Sequence, residues 1–183
     1  MSGLAGRPFL GRPAEDLRLI ASHTGCGDFA ALLHPSIPAI WAHRIAHHLH
    51  PRFRLLARII SAAGRLASGG IEIHPGAVLG RRVFFAHGTG TVVGETARVG
   101  DDVVIGPQVT LGAVGWWRDN NRPPGAARHP TVGNRVWIGP NATVLGPVVL
   151  GDDAVIGPQS LVTTDIPAGA EVTAPAAVDC LPG

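Results

Sequence analysis

The chain has 183 residues, of which 45% are hydrophobic and 15% are charged, and its formal net charge is +2 at pH 7. This length suits one domain with a small appendage, the weak positive charge gives no argument for nucleic-acid binding, and no apolar run approaches the roughly 18 residues of a membrane span. The start of the chain lacks the apolar segment of a signal peptide and the two cysteines make no disulfide framework, so we expect a cytoplasmic protein.

Residues 1–70 are predicted to form a small α-helical region. Helical periodicity predicts helices over about residues 14–21, 29–33, 39–49 and 52–67, with breaks at Pro35 and Pro38. The pair Gly69-Gly70 then ends the region. Because the open end of a repeat exposes unpaired backbone, we expect this cap to cover one end of the repeat that follows and to mediate assembly.

Three histidines lie on one face of the third predicted helix. His43, His47 and His50 are spaced at i, i+4 and i+7, so their side chains project from the same side. One interpretation is a metal site, but no carboxylate or cysteine accompanies them at ligand spacing. The other is packing or a subunit contact by half-buried imidazoles, and we predict that no metal is bound.

From residue 71 to about 165, an aliphatic side chain returns every six residues. A small or β-branched residue often stands two positions earlier, so both side chains point to one face of a short strand. The steps are strict in one late run: Val132, Ile138, Val144, Leu150, Ile156 and Val162. The sequence GDDVVIGPQ at 100–108 also returns as GDDAVIGPQ at 151–159.

A six-residue period is typical of a parallel β-helix. A β-sandwich would instead space its strands by about 8–12 residues with variable turns. We therefore predict a mainly β chain, with a hexapeptide-repeat coil over residues 71–165 and a tail over 166–183.

The repeat is interrupted at two places, and each interruption holds a histidine. The phase slips around His87, and residues 113–130 leave the coil as a long loop that contains Trp116, Trp117 and His129. Loops of this length are commonly functional, and histidine is suited to moving protons near neutral pH. Each histidine alone could equally be a surface residue at a corner, but the coincidence of both with the interruptions favours catalysis.

Glu72 is the carboxylate that the repeat brings nearest to His87. It precedes His87 by nearly one coil once the phase slip is included, so we expect the two side chains to stack. A carboxylate beside an imidazole fixes the tautomer of the ring and raises its basicity.

Several motifs together resemble one known family. IEIHPGAVLG at 71–80, HGTGTVVGETA at 87–97, VTLG at 109–112 and RHPTVG at 128–133 follow in that order, and 39–55 resembles the helix before the coil. Over roughly residues 38–165 the chain resembles the bacterial serine O-acetyltransferases. The resemblance implies a left-handed β-helix, a homotrimer or a dimer of trimers, and transfer of acetyl from acetyl-CoA to the hydroxyl of serine. The product would be O-acetylserine, the precursor of cysteine.

The resemblance also implies roles for individual residues. His87 would be the catalytic base, Glu72 the carboxylate that orients it, and His129 a second active-site histidine that contacts the acceptor or the thioester. Arg128 would bind the carboxylate of the amino acid, as suits its guanidinium fork. Contacts to acetyl-CoA in this fold are largely made by backbone, and we expect them at Gly112, Gly139, Ala142 and Gly157.

The sequence departs from the family at three places. Ala86 stands in the substrate-binding position before the catalytic histidine, where the family usually has aspartate, so a different hydroxy- or amino-acid-like acceptor is the alternative that the sequence leaves open. Trp116 and Trp117 replace a Gly/Lys-rich turn, and they either reshape the acceptor pocket or pack the loop onto the coil. The chain ends without the isoleucine that docks into a sulfhydrylase, so we do not expect that complex.

The sequence gives less support to two other functional classes, a zinc enzyme and a non-catalytic scaffold. A zinc enzyme of the γ-carbonic-anhydrase type shares this coil but typically needs an H-x₄-H pair, which residues 71–165 lack. A non-catalytic trimeric scaffold would have no use for the combination of Glu72, His87, Arg128 and His129.

Overall fold

The computed structural model describes residues 12–25, 27–115, 123 and 125–174. Within them, short parallel strands wind into a left-handed β-helix. The six-residue period predicts the coil, and the resemblance to the serine O-acetyltransferases implies its left hand. The strands are β1 (Glu72–Ile73), β2 (Val78–Leu79), β3 (Phe84–Phe85), β4 (Val92–Val93), β5 (Arg98–Val99), β6 (Val104–Ile105), β7 (Thr110–Gly112), β8 (Thr131–Val132), β9 (Trp137–Ile138), β10 (Thr143–Leu145), β11 (Val149–Leu150), β12 (Val155–Ile156), β13 (Leu161–Val162) and β14 (Glu171–Val172). Sheet A contains β1, β4, β7, β10 and β13, sheet B contains β2, β5, β8 and β11, and sheet C contains β3, β6, β9, β12 and β14.

The inward positions of the hexapeptides form one continuous core. Strands of successive coils pair in register, so that Ile73 lies beside Val93 and Val93 lies beside Leu111. Burying one such side chain contributes about 1.5–3 kcal/mol, which explains why this position stays aliphatic. None of the predicted inward residues is more than 5% exposed: Ile73, Leu79, Phe85, Val93, Val99, Ile105, Leu111, Val132, Ile138, Val144, Leu150, Ile156 and Val162.

Corners join the three sheets, and they position the candidate site. We name them by the sheets they join: the AB corner (described residues 74–77, 94–97, 113–115, 123, 125–130 and 146–148), the BC corner (80–83, 100–103, 133–136 and 151–154) and the CA corner (86–91, 106–109, 139–142 and 157–160). Each CA corner holds one non-glycine residue with a left-handed backbone, at φ values from 57° to 60°: His87, Gln108, Asn141 and Gln159.

Four helices precede the coil in the described part of the chain: α1 (Arg12–Thr24), α2 (Asp28–Ala31), α3 (Ser36–Leu49) and α4 (Arg54–Ala67). Each corresponds to one of the predicted helices. The prediction that Pro38 breaks the chain was wrong, because α3 begins before it. Proline is tolerated in the first turn of a helix, where its missing N–H would have no partner.

The helices cap the first coil, as predicted. Phe84 on the outer face of sheet C packs against Ile20 of α1 and Ile37 of α3. Arg44 of α3 donates to both carboxylate oxygens of Asp16 in α1, at 2.7 and 2.9 Å, and both side chains are buried. α4 lies over β1, where the hydroxyl of Ser61 donates to the carbonyl of Ile73.

At its far end the coil continues past residue 165, where we expected the tail to begin. Ile166 bridges to Leu150, and β14 pairs with β12. The step from Val162 to Ile166 is four residues rather than six, so the six-residue period of the sequence ends before the last strand of the coil. None of the described helices is long and apolar enough to cross a membrane.

Candidate active site

His87 stands at the first CA corner, two residues after the end of β3. Its backbone adopts the left-handed conformation at φ 60°, which costs a non-glycine residue about 1–3 kcal/mol. The strand before it is anchored, because Phe85 is fully buried and its carbonyl accepts the Ser36 hydroxyl at 2.7 Å. The imidazole itself is exposed, so the corner presents it to solvent on a backbone that the core fixes.

A second histidine near His87, His34, escaped the sequence analysis. It lies in the turn before α3, where its Nδ1 accepts the N–H of Ser36 at 3.3 Å and its ring stands 5.3 Å from that of Phe84. Burial, and secondarily the charge of His87, lower the pKa of His34. Ala86 packs against the apolar cluster of the cap beside it. No pattern in the sequence signals this contact, because it depends on how the cap folds onto sheet C.

The predicted contact between Glu72 and His87 is not made in the structure. Glu72 does lie one coil away from this corner, since its N–H donates to the carbonyl of Thr91 at 2.9 Å. Its half-exposed carboxylate turns towards α4, where Arg65 Nη1 donates to Oε2 at 3.0 Å. A half-exposed ion pair is worth only about 0–1 kcal/mol, so little holds the carboxylate in this position.

Arg128 and His129 lie at the AB corner, where the long loop returns to the coil. Thr96 belongs to the same corner one coil earlier and binds both residues. Its hydroxyl oxygen lies 2.8 Å from His129 Nδ1, 2.9 Å from the N–H nitrogen of Arg128 and 3.1 Å from that of His129. Sequence reasoning missed Thr96, although it lies inside the HGTGTVVGETA motif.

The surroundings of His129 disfavour its charged form. The residue is 8% exposed, and this burial is the main cause that lowers its pKa below the usual 6.5. The neighbouring charges of Arg128 and His74 lower the pKa further, whereas the carboxylate of Glu95 opposes them. These surroundings therefore favour the uncharged ring.

A single chain does not bring His87 and His129 together. His87 is at a CA corner and His129 is at an AB corner, so the width of sheet A separates them. A side of about five residues at about 3.3 Å per residue puts the two corners on the order of 15 Å apart. The four residues expected to contact acetyl-CoA divide in the same way: Gly139, Ala142 and Gly157 are at CA corners, and Gly112 ends β7 next to an AB corner.

Close packing between successive coils explains why glycine stands at these positions of the CA corners. The N–H of Gly139 donates to Ile156 and that of Gly157 donates to Val172. A Cβ atom at Gly139 would lie 2.7 Å from the nitrogen of Pro158 in the next coil, which is too close for any side chain. Since these N–H groups already have partners, contacts to a ligand here would be made by carbonyl oxygens and by the surface of the corner.

One group of side chains in the described part of the chain has the spacing of metal ligands. Ligand atoms of His50, His74 and Glu95 lie within 4.8 Å of one another. However, Arg58 Nη1 is 2.9 Å from His74 Nε2, and the N–H of Gly76 donates to His74 Nδ1. Both ring nitrogens of His74 therefore face donors, and the guanidinium adds a positive charge where a cation would bind.

Of the three histidines on the predicted helix face, one is buried, one makes a hydrogen bond to the coil and one lines a cleft. His43 is 3% exposed, and burial is the first cause that lowers its pKa to about 3. Nδ1 of His47 lies 2.8 Å from the carbonyl oxygen of Pro75, to which it donates. His50 instead lines a cleft of about 260 Å³ with Arg98 of β5 and with Thr96 and other residues of the AB corner. Trp116 and Trp117 lie outside the described residues.

Comparison with known proteins agrees with this architecture. The family model described as bacterial transferase hexapeptide (six repeats) matches residues 129–164. The serine acetyltransferase of Helicobacter pylori is 48% identical over 139 residues, which cover 75% of this chain and 77% of that protein. The serine acetyltransferase of Mycobacterium tuberculosis is 49% identical over 140 residues, covering 76% of this chain, and the chain spans only 58% of the length of that relative.

A solved structure is similar over nearly the whole chain. The serine acetyltransferase of Neisseria gonorrhoeae, crystallised in complex with serine, superimposes with a TM-score of 0.77 at 34% sequence identity. The match covers 94% of this chain and 68% of that protein. The similarity therefore includes the helical cap as well as the coil.

Proposed function

Because the chain belongs to the serine acetyltransferase family, we propose that it transfers the acetyl group of acetyl-CoA to the hydroxyl of L-serine. The observation that carries the proposal is the arrangement of His87 and the Arg128-His129 pair on the two corners that border sheet A. The serine complex of the gonococcal relative supports serine as the acceptor. The product, O-acetylserine, is a precursor of cysteine.

In the proposed reaction, His87 is the general base. It takes the proton of the serine hydroxyl while the oxygen attacks the carbonyl carbon of the thioester. The new C–O bond forms, the C–S bond breaks, and the CoA thiolate leaves and takes up the proton from His87. General-base assistance of this kind contributes about 10²–10⁴-fold. The exposure of His87 at its corner supports this role, because a substrate can reach the ring.

Arg128 is proposed to bind the serine carboxylate. Its guanidinium can form two parallel hydrogen bonds with a carboxylate, which fixes orientation as well as charge. Its backbone is held by the hydroxyl of Thr96 at 2.9 Å. Holding the backbone in this way limits the positions that the side chain can reach.

We further propose that each active site is shared between two copies of the chain. The CA corner of one copy would supply His87, and the AB corner of a neighbour would supply Arg128 and His129. Three copies around a threefold axis close such contacts into a ring, which gives the expected homotrimer.

The outer surface of sheet A suits this assembly. In sheet A, the side chains that point outwards from β4, β7, β10 and β13 are uncharged. A protein interface is typically depleted of charge at its centre. Val92 is 37% exposed and Leu161 is 66% exposed in the single chain. The outward residues of these strands are Val92, Thr110, Gly112, Thr143, Leu145 and Leu161.

The cap offers a second apolar surface for assembly. Leu55, Ile59 and Leu66 of α4 are 76%, 57% and 78% exposed. Large exposed apolar patches commonly mark protein contacts. This surface supports the expectation that the cap mediates assembly, including the pairing of two trimers.

Acetyl-CoA is proposed to lie in the groove between neighbouring copies. The CA corners below His87, with Gly139, Ala142 and Gly157, would form one wall. The AB corner of the neighbour, together with Gly112 at the end of β7, would form the other. The backbone carbonyl oxygens of these corners would contact the ligand, since the N–H groups of Gly139 and Gly157 already have partners in the coil. The thioester would then end between His87 of one copy and His129 of the next.

The activity is tested by measuring CoA release from acetyl-CoA with L-serine and a panel of other hydroxy and amino acids. We expect turnover with L-serine and a loss of about 10²–10⁴-fold in His87→Ala. His48→Ala, which removes an exposed histidine of α3, is the matched control and should keep wild-type turnover. Turnover with another acceptor alone would contradict serine as the substrate, and no CoA release with any acceptor would contradict the transferase.

A further inference from the structure

The hydroxyl of Thr96 has three partners, and their chemistry determines the direction of each hydrogen bond. The N–H groups of Arg128 and His129 point at Thr96 Oγ1 from 2.9 and 3.1 Å. A hydroxyl has two acceptor lone pairs and one proton. Since two N–H donors use both lone pairs, the remaining proton is directed to the third partner, His129 Nδ1, at 2.8 Å.

The same nitrogen of His129 receives a second donor. The backbone N–H of Thr96 points at Nδ1 from 3.2 Å. A nitrogen that accepts from two donors carries no proton of its own, and a neutral imidazole has a single N–H. The proton of the neutral ring is therefore on Nε2.

The charged groups around His129 favour this neutral form on balance. Arg128 is adjacent in sequence, while His74 and Glu95 belong to the two coils above it at the same corner. Burial, Arg128 and His74 act against a second proton, and Glu95 alone acts in favour of it. Protonation of Nδ1 would also break both hydrogen bonds from Thr96.

The position of the imidazole ring of His129 is also constrained by a close contact. The imidazole lies against Gly94 of the neighbouring coil, where a Cβ atom would be 2.0 Å from Cδ2 and 2.2 Å from Nε2 of His129. Among the described residues, Nε2 has no hydrogen-bond partner, so its N–H is available to a ligand.

We infer that Thr96 is a positioning residue that holds His129 as a neutral Nε2–H donor, aimed at the oxygen of the thioester carbonyl rather than at the acceptor proton. This inference rests on the proposed acetyl transfer. As the serine oxygen attacks, negative charge develops on the carbonyl oxygen, and a pre-oriented donor stabilises it. His129 donates a hydrogen bond and gains no proton, so the proton balance of the reaction remains with His87.

The tautomer is measured directly by NMR of the full-length protein labelled with ¹⁵N-histidine, with His129 assigned by comparison with His129→Gln. At neutral pH we expect a protonated Nε2 and an unprotonated Nδ1. A proton on Nδ1, or on both nitrogens, would overturn the inference. This readout does not depend on turnover, so it separates failure of the inference from failure of the proposed function.

The role in catalysis is tested with Thr96→Val, which keeps the shape of the side chain and removes its oxygen. We expect kcat to fall about tenfold, part of the roughly 10²–10³-fold that removing an oxyanion donor costs, with KM for both substrates unchanged. Thr96→Ser keeps the hydroxyl and should restore both kcat and the histidine spectrum. Wild-type kcat in Thr96→Val, or a loss confined to KM, would refute the assignment. Should Thr96→Val fail to fold, the wild-type and Thr96→Ser spectra still decide the tautomer.

Discussion

At the scale of single residues, the two histidines differ in surroundings and therefore in chemistry. His129 is 8% exposed and receives two hydrogen bonds at Nδ1 from Thr96, so it suits donation from Nε2. His87 is exposed on a corner with a left-handed backbone, so it can accept a proton from a substrate that approaches from solvent. We therefore propose two different tasks for these two identical side chains.

The contact between Gly94 and His129 gives a residue-scale prediction. Gly94→Ala would put a methyl group about 2 Å from the imidazole carbon Cδ2, so the ring must leave its place. We expect loss of most of the CoA release with L-serine while the unfolding midpoint remains close to wild type, because the backbone of Gly94 can keep its hydrogen bond to Leu111.

The matched control is Gly27→Ala, because a Cβ atom there meets nothing within 4 Å. It should change neither activity nor stability. Full activity in Gly94→Ala would mean that the position of His129 does not matter for turnover. A large loss of stability in Gly94→Ala would mean that the glycine serves the coil rather than the site.

The sequence predicted part of the site at this scale. His87 and His129 were recognisable because both stand where the six-residue period fails. Thr96 and His34 were not, because the first depends on which coil the long loop rejoins and the second depends on how the cap folds back. For Ala86 the structure adds a reason for its apolar character, since it packs against the apolar cluster of the cap.

At the scale of elements, the fold of the coil was largely predictable and that of its ends was not. The inward aliphatic position is set by local periodicity, so the strands from β1 to β13 follow directly from the sequence. The last turn of the coil was not predicted, because Ile166 follows the previous inward residue by four positions rather than six. The side-chain direction of Glu72 also escaped prediction, because Arg65 of α4 competes for its carboxylate.

The buried ion pair between α1 and α3 gives an element-scale prediction. Asp16→Asn would leave Arg44 buried without a counter-charge, and breaking such a pair costs about 3–5 kcal/mol. We expect urea unfolding at fixed protein concentration to show this loss, with α1 detaching from the cap first.

An exposed pair of the same type is the control. Arg135 bonds Asp153 at 2.7 Å, but both side chains are more than half exposed, so water replaces the lost contact. Asp153→Asn should leave the midpoint close to wild type, since asparagine also tolerates the left-handed backbone at this position. Equal effects of the two substitutions would contradict the structural role given to the Asp16–Arg44 pair.

At the scale of the whole molecule, we propose that one active site needs two chains. The sequence indicated the two histidines but not that they lie at different corners. The corner that each occupies is known only once three strands close a coil. In the single chain, sheet A separates the two corners. If both histidines act in one site, two inactive variants that each lack one histidine should restore activity in mixed trimers. A site within a single chain would not allow this recovery.

The most direct test is complementation between His87→Ala and His129→Ala. Each variant alone should be nearly inactive. After the two are unfolded, mixed in equal amounts and refolded together, three quarters of the trimers would be mixed, each with one intact site of three, which gives about a quarter of wild-type activity. That recovery of CoA release with L-serine is the result we predict, and a mixture as inactive as its two parents would contradict a site shared between neighbouring copies.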